Sequence, residues 1–158
     1  MESTQQSADT TAAHSARDSR PHIIETVPFL AVSNLAASVR YYVDGLGFSM
    51  TQQWVDNDKL RWCHLQQGGV GLMLQEFATK GHDSWTPAGK VGEGVTLYFI
   101  CTDALAIYDA IRAKQIAATE PIVSNGLWLT TLIDPDGYQP AFESKTDVPE
   151  GSRLSMVQ

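Results

Sequence analysis

The residues of this chain best suited to acid–base chemistry are His64 and Glu143. An imidazole and a carboxylate can exchange a proton with a bound molecule if both side chains reach it. His64 follows Cys63, but neighbouring residues of a strand point to opposite faces of a sheet, so the two do not form a cysteine–histidine nucleophile. The sequence shows no third group that would orient the ring of His64. The catalytic interpretation therefore depends on a fold that places His64 and Glu143 in one cleft.

The bulk composition is that of an ordinary globular protein. The chain has 158 residues, of which 43% are hydrophobic and 18% are charged, and its net charge at pH 7 is -7. A protein that binds nucleic acid usually carries a basic face, so this acidity speaks against nucleic acid as a partner. The acidity permits attraction of a cationic ligand, although it also serves solubility alone.

The cysteines and the apolar segments indicate in which cellular compartment the protein is expected. Cys63 and Cys101 are the two cysteines and form no disulfide framework, so we expect a reducing compartment, the cytoplasm. No apolar run approaches the roughly 20 residues that a membrane-spanning helix needs. Residues 1–22 are predicted to be a disordered polar tail that lacks the apolar core of a signal peptide. His14 and His22, in or beside this tail, are interpreted as stray histidines rather than metal ligands.

The remaining sequence contains an internal repeat. The segment VPFLAVSNLAASVRYY from Val27 aligns with VTLYFICTDALAIYDA from Val95, and the same offset of 68 places Met73 on Ala141. Such spacing over most of a chain predicts two copies of one supersecondary unit. We predict modules at residues 23–76 and 94–145, a linker at 77–93 and a C-terminal tail at 146–158.

Each copy is predicted to contain a strand, a helix and three further strands, which makes the fold class α+β. Asn34 caps the first helix, and Thr102 or Asp103 caps the second. Pro140 lies inside the last strand and favours an edge or bulged position. The predicted strands cover residues 26–32, 48–55, 60–65 and 70–76 in the first copy, and residues 95–101, 118–123, 127–133 and 138–144 in the second.

These motifs resemble the vicinal oxygen chelate superfamily, which includes glyoxalase I, extradiol dioxygenases and bleomycin-resistance proteins. The opening VPFLAVSNLAASVRYYVDGLGFS is similar to the bleomycin-resistance type, and DPDGY, from Asp134, is similar to the turn before the final strand in most of the superfamily. The resemblance covers residues 25–144. It implies two βαβββ modules that form a curled mixed sheet with an open cleft. It does not specify a function, because one scaffold carries many activities.

In metal-dependent members of this superfamily, the first and last strands of each module supply the metal ligands. The resemblance places these positions at Val27, Met73, Val95 and Ala141. None of them can supply the histidine nitrogens or carboxylate oxygens that Zn, Ni or Fe would need. A shift of two residues would bring in Glu25 and Gln75, but these would lie roughly 13 Å apart along parallel strands. We therefore predict no metal and no cofactor.

Alternation along the strands predicts which side chains line the cleft. A turn at residues 66–69 places Trp62 opposite Met73. The same register places His64 opposite Gly71, and the preceding turn places Gln53 opposite Trp62. The predicted ligand-binding residues are Phe29, Gln53, Trp62, His64, Met73, Gln75, Phe99, Thr130 and Glu143.

An apolar, aromatic concavity with a few polar groups is usual for a small-molecule site. We therefore predict a non-enzymatic protein that sequesters a cationic or planar drug or metabolite in a metal-free cleft, as in the bleomycin-resistance type. The resemblance also implies a homodimer whose clefts are formed by both subunits. The alternative is a glyoxalase-like lyase, isomerase or dioxygenase, with a displaced metal site or with metal-free acid–base chemistry at His64 and Glu143. A third hypothesis is a domain that acts through protein partners without a ligand.

Overall fold

The computed structural model describes residues 23–82 and 84–157, so the predicted tail at 1–22 lies outside the described residues. The strands are β1 (Phe29–Val32), β2 (Ser49–Asp56), β3 (Lys59–Gln67), β4 (Val70–Glu76), β5 (Thr96–Ile100), β6 (Ile122–Ser124), β7 (Leu127–Thr131) and β8 (Gln139–Lys145). Helix α1 (Leu35–Val39) continues as a π-helical segment over Arg40–Gly45, α2 spans Ala104–Ala113, and a 3₁₀ turn covers Leu154–Met156. None of the helices in the described part of the chain has the length and apolarity needed to cross a membrane.

The strands form two four-stranded mixed sheets with the same topology. Their strand orders are β1-β4-β3-β2 and β5-β8-β7-β6. In each sheet the first strand runs parallel to the last, and the other neighbours are antiparallel. Parallel neighbours cannot be joined by a tight turn, so the helix and the two intervening strands form the connection. The predicted α+β class with two βαβββ modules is therefore confirmed.

The two helices begin at equivalent capping residues. Asn34 accepts a hydrogen bond from the backbone N–H of Ala37, and Asp103 accepts from those of Leu105 and Ala106. Both side chains satisfy donors that have no partner within the helix. Of the two predicted caps for the second helix, Asp103 is the one that the structure confirms.

The repeat does not keep a constant offset, which corrects the predicted alignment. β1 pairs Phe29 with Met73, whereas β5 pairs Tyr98 with Ala141. The first strand and the helix cap are therefore offset by 69 residues, and only the last strand keeps the offset of 68. The structural equivalent of Val27 is thus Thr96 and not Val95. This single residue reverses the predicted facing of every side chain on β5.

The helix-covered faces of the two sheets share one hydrophobic core. The first module contributes Leu30, Val32, Leu72 and Leu74, among others, and the second contributes Ile111, Leu132, Tyr138 and Phe142. Burying a side chain of this size stabilises the fold by about 2 kcal/mol. Because this core draws on both modules, it fixes how the two sheets are arranged.

The turn that begins at Asp134 fastens the second module to the first. Tyr42 donates its hydroxyl hydrogen to Asp134 Oδ2 at 2.9 Å, and the backbone N–H of Ser33 donates to Asp136 Oδ1 at 3.0 Å. The other oxygen of Asp134 accepts two backbone N–H groups of its own turn. Both carboxylates are buried. These two acids therefore have a structural role between the modules.

Pro140 lies neither on an edge strand nor at a register shift of β8, contrary to the predicted edge or bulged position. Its strand, β8, has β5 on one side and β7 on the other. The Pro140 carbonyl accepts the N–H of Leu132 at 2.8 Å, one residue beyond the last pair of the β7–β8 ladder, Thr131 with Ala141. Because a proline lacks only the N–H, the sheet loses a single bond at the end of this ladder.

The described part of the predicted C-terminal tail packs against the second sheet. Val123 donates its N–H to the carbonyl of Ser152 at 2.8 Å, and Leu154 donates to Pro121 at 3.0 Å. The side chain of Leu154 is buried. This segment therefore covers the outer edge of β6, which would otherwise offer free backbone groups.

Substitutions of the adjacent residues Tyr41 and Tyr42 can test the contact between the modules. Among the described residues, the buried hydroxyl of Tyr41 has no hydrogen-bond partner, whereas Tyr42 donates to Asp134. We expect Tyr41→Phe to maintain or raise the free energy of unfolding, because it removes a polar group whose burial costs about 1 kcal/mol or more. Tyr42→Phe should lower it by about 2 kcal/mol, because a buried carboxylate loses its donor. Urea denaturation measures both values, and equal losses would contradict these roles.

Candidate functional site

We call the face of each sheet that points away from its helix the open face. On the first sheet it consists of two rows of paired residues. These rows are Phe29–Met73–His64–Gln52 and Ala31–Gln75–Trp62–Trp54. Alternate residues of the same strands, such as Cys63 and Leu74, are buried on the helix side. The open face is therefore a surface of aromatic, thioether and neutral polar groups.

Several predicted ligand-binding residues come together in these two rows. They are Phe29, Trp62, His64, Met73 and Gln75. Phe29 is 53% exposed and Trp54, which the sequence reasoning missed, is 55% exposed. The other four are half-buried. Large aromatic side chains left this open on a sheet face indicate a surface that receives another molecule.

The predicted register of β3 against β4 is wrong by two residues. Gln67 pairs with Val70, so the hairpin turn is the two-residue loop Gly68–Gly69. Gly68 has φ +57, which suits the tight turns of two-residue hairpins. As a result His64 lies opposite Met73 and not Gly71. Trp62 likewise lies opposite Gln75, but neither residue changes face, because the shift is an even number.

Gln53 does not lie on the open face. The predicted pair of Val55 with Leu60 is present, but the ladder then shifts, and Gln53 lies opposite Cys63 rather than Trp62. Directly opposed residues point to the same side of a sheet. Since Cys63 is buried on the helix side, Gln53 points to that side too. Trp54 takes the predicted place of Gln53 beside Trp62.

The open face of the second sheet carries residues that the sequence reasoning did not select. Its rows are Tyr98–Ala141–Thr131 and Ile100–Glu143–Leu129. Tyr98 is 59% exposed and Ile100 is 73% exposed. Glu143, a predicted site residue, lies between two apolar neighbours and is half-buried. The matching helix caps were the sequence signal that could have identified Tyr98 and Ile100.

Phe99 and Thr130 lie on the helix side of the second sheet and not on its open face, contrary to their predicted facing. The ring of Phe99 stacks on Phe142 at a centroid distance of 5.2 Å. Thr130 is fully buried and donates its hydroxyl hydrogen to the carbonyl of Thr119 at 2.8 Å. The one-residue change in the repeat explains the error at Phe99. Thr130 faces Phe142 across the ladder and therefore shares its side.

The residues at the family's four metal positions do not fit a metal ion. With Thr96 in place of Val95, the positions hold Val27, Met73, Thr96 and Ala141. A valine, an alanine, a thioether and a neutral hydroxyl do not form a donor set for a divalent cation. Over residues 23–82 and 84–157, no three His, Cys, Asp or Glu side chains are grouped so that they could share an ion.

Neither cysteine is suited to act as a nucleophile. Burial raises the pKa of the Cys63 thiol to about 11, so the group is neutral at pH 7. Burial also raises the pKa of Cys101. Cys63 and His64 point to opposite sides of the sheet. The arrangement leaves the imidazole of His64 as the acid–base group on the open face of the first sheet.

A cavity of about 430 Å³ lies where the two modules meet. Its walls are the segment before β1, the hairpin residue Gly69 with the first three residues of β4, and the whole of β5. Of the predicted ligand-binding residues, only Phe99 lines it. The cavity therefore adjoins the open faces through Gly71 and Tyr98 without coinciding with the rows of paired residues.

The comparisons with known proteins agree with this fold. The family model of the Glyoxalase/Bleomycin resistance protein/Dioxygenase superfamily matches residues 20–142. The chain therefore belongs to this superfamily. A comparison with curated protein sequences gives no match.

Solved structures with this fold include an antibiotic binding protein, a resistance determinant and an enzyme. TnmS3, an antibiotic binding protein from Streptomyces sp. CB03234, is 18% identical with a TM-score of 0.59, covering 78% of this chain and 98% of its own. The bleomycin resistance determinant encoded on transposon Tn5 is 17% identical with a TM-score of 0.59, covering 80% and 100%. Lactoylglutathione lyase from Agrobacterium tumefaciens is 20% identical with a TM-score of 0.59, covering 78% and 94%. At these identities the likeness establishes the fold and not the activity.

Proposed function

We propose that this protein is a non-enzymatic binding protein that holds a small planar molecule against its open faces. The observation that carries this proposal is the exposure of Phe29, Trp54 and Tyr98 on sheet faces that no helix covers. Aromatic rings offer stacking area with little loss of conformational freedom. The antibiotic-binding protein and the bleomycin resistance determinant with the same fold support a small-molecule ligand.

Glu143 gives the proposed site its preference for a cation. Its carboxylate lies in a row with Ile100 and Leu129, so its immediate neighbours across the strands are apolar. A charge in such surroundings attracts an opposite charge more strongly than it would in open water. A ligand that combines a flat ring with an ammonium group would satisfy both the aromatic surface and this acid.

We further propose that the protein acts as a homodimer in the cytoplasm. A second subunit would cover the exposed side chains of the open faces and complete a cleft from both chains, as the family resemblance implies. Large apolar surface left uncovered in a single chain is a common mark of such an interface. Both cysteines are free, which is consistent with a reducing compartment.

Tryptophan fluorescence provides the test, with daunorubicin as a planar cationic probe and bleomycin as a larger cationic one. We expect daunorubicin to quench the emission, because Trp54 and Trp62 lie on the open face. Glu143→Gln should weaken its binding about tenfold, the loss of about 1.4 kcal/mol, because the ligand cation loses its partner. Asp109→Asn, an equal change of charge on exposed α2, is the matched control and should leave the affinity unchanged.

Three results would contradict the proposal. The first is the absence of any response to either probe, and the second is an equal loss of affinity in the two variants. The third is turnover of the hemithioacetal of methylglyoxal and glutathione, which would favour the glyoxalase-like alternative with His64 as acid or base. Light scattering on the same samples measures the molecular mass, and a monomer at the concentrations used would contradict the dimer.

A further inference from the structure

Thr51 occupies a bulge in β2 beside the ring of His64. The ladder pairs Met50 with Leu65 and Gln52 with His64, and its register shifts between these pairs, so Thr51 has no partner across the strands. Bulges redirect a side chain that regular pairing would aim elsewhere. Here the redirection brings Thr51 Oγ1 to 2.6 Å from His64 Nδ1.

The hydroxyl of Thr51 has one proton and two neighbours. It lies 3.3 Å from the backbone carbonyl oxygen of His64, which can only accept, and 2.6 Å from Nδ1, which can donate or accept. Both contacts are hydrogen bonds only if Thr51 donates to the carbonyl and accepts from Nδ1–H. The neutral ring is then the Nδ1–H tautomer, and its lone pair lies on Nε2.

Gly71 makes room for this ring. A Cβ atom at Gly71 would lie 2.9 Å from His64 Nε2 and 3.3 Å from Cε1, so the edge of the ring that carries Nε2 lies across Gly71 on the open face. Gly71 also lines the cavity between the modules. The residues directly opposite His64 on either side, Gln52 and Met73, carry no charge. Nε2 therefore lies beside Gly71 on the open face, without an ionised partner among these paired neighbours.

Trp62 lies on the same strand and face as His64, two residues away. Two residues along a strand span about 7 Å, close to the distance from the centre of a fused two-ring system, through a hydroxyl group on it, to the acceptor of the hydrogen bond that this hydroxyl donates. A ring stacked on Trp62 can therefore direct a hydroxyl group at Nε2.

We propose that Thr51 is a positioning residue that holds His64 as the Nδ1–H tautomer, so that Nε2 accepts a hydrogen bond from the hydroxyl of a planar aromatic ligand. This rests on the proposed function and narrows its ligand to phenols and hydroxylated polycycles. A ligand with the same rings but no hydroxyl leaves Nε2 without its hydrogen bond, which costs affinity.

The first experiment measures the tautomer of His64 in ligand-free ¹⁵N-labelled protein. The expected two-bond ¹⁵N–¹H spectrum shows His64 Nδ1 protonated and Nε2 unprotonated at a pH where the ring is neutral. Thr51→Val should move His64 towards the Nε2–H form, and Thr51→Ser should restore the original pattern. His82 is the internal control, and its pattern should not change. A protonated Nε2 in the parent protein, or an unchanged tautomer in Thr51→Val and in the second variant Thr51→Ala, would overturn the assignment.

Recognition is measured next with 2-naphthol and 2-methoxynaphthalene, which share the rings and differ in the donor. The parent protein should bind 2-naphthol about tenfold more tightly, and the ratio should fall to about two in Thr51→Val. An equal ratio in both proteins would overturn the role of Nε2 in recognition. If neither compound binds, the proposed function and the phenol preference both fail, while the ring state remains decided by the ligand-free spectrum.

Discussion

Replacing Asp134 with alanine is expected to lower the free energy of unfolding by about 4 kcal/mol. The substitution leaves the Tyr42 hydroxyl and two backbone N–H groups of the turn buried without their acceptor. Each such loss costs about 1–3 kcal/mol, and the three share one carboxylate, so the sum is less than additive. The value is measured by urea denaturation. A loss below about 1 kcal/mol would show that the turn does not hold the modules together.

Asp134→Asn is the matched control, because its amide oxygen can still accept the two N–H groups of the turn. We expect it to lie within about 1 kcal/mol of the parent protein at pH 7. Burial raises the pKa of Asp134 above its ordinary value, against the hydrogen bonds that lower it. The folded protein therefore holds this proton more tightly than the unfolded chain does.

The sign of the pH dependence follows from this raised pKa. The stabilisation linked to Asp134 is fully present below the ordinary pKa of an aspartate and is lost as the pH rises through the higher folded value. Asparagine does not titrate. As the pH is lowered from 7 towards 4, the free energy of unfolding of the parent protein should therefore rise relative to that of Asp134→Asn. A difference that is constant with pH, or that moves the other way, would contradict the raised pKa.

The second large effect is expected at Gly92, which lies in the predicted linker but is buried against the same turn. Its N–H donates to the carbonyl of Asp136 at 3.1 Å. A Cβ atom there would overlap the backbone nitrogen of Tyr138 and lie 2.6 Å from its Cα. Because the obstacle is backbone, no side-chain rotation relieves it, and Gly92→Ala should cost about 3 kcal/mol or more.

Gly89→Ala is the control for Gly92. It lies in the same segment, and the nearest atom to its added Cβ would be Glu93 Oε2 at 3.7 Å, an ordinary contact. We expect a change within about 0.5 kcal/mol, or a small gain from the stiffer unfolded chain. Thermal unfolding by circular dichroism compares the two variants. Similar melting temperatures for both variants would mean that the segment containing Gly92 can move away from the turn at Asp134 and does not stabilise it.

Much of the fold could be predicted from the sequence because its signals are local and repeated. Alternation along the strands and the turn at Asp134 are fixed by nearest neighbours, and they specified two βαβββ modules. The offset between the two copies of the repeat was harder to predict. Val27 and Val95 are both apolar, so aligning them was plausible, but Asn34 and Asp103 cap the helices and require a shift of one residue. A capping residue fixes the first residue of a helix more precisely than an apolar pattern does, because its side chain must reach particular N–H groups.

The candidate site was harder to predict, because the pairing of distant strands decides it. Whether Gln53 or Trp54 lies beside Trp62 depends on a register shift in the β2–β3 ladder that no local pattern reveals. The bulge at Thr51 is equally hidden, although it determines what the ring of His64 contacts. Registers and bulges are settled by packing across the whole sheet. The residues predicted on β3 and β4 still lie on the open face, because the error in the register was two residues and an even shift does not change the face.

The alternation of buried and half-buried residues along β3 and β4 has an evolutionary consequence. Substitutions on the open face would change the contacts of the proposed ligand, while the intervening residues continue to supply the core. The acids of the Asp134 turn lie outside this alternation and hold the modules together whatever the surface binds. The fold therefore allows the exposed residues to change at little cost in stability. The fold alone does not specify an activity, which has to be inferred from the residues of the open faces.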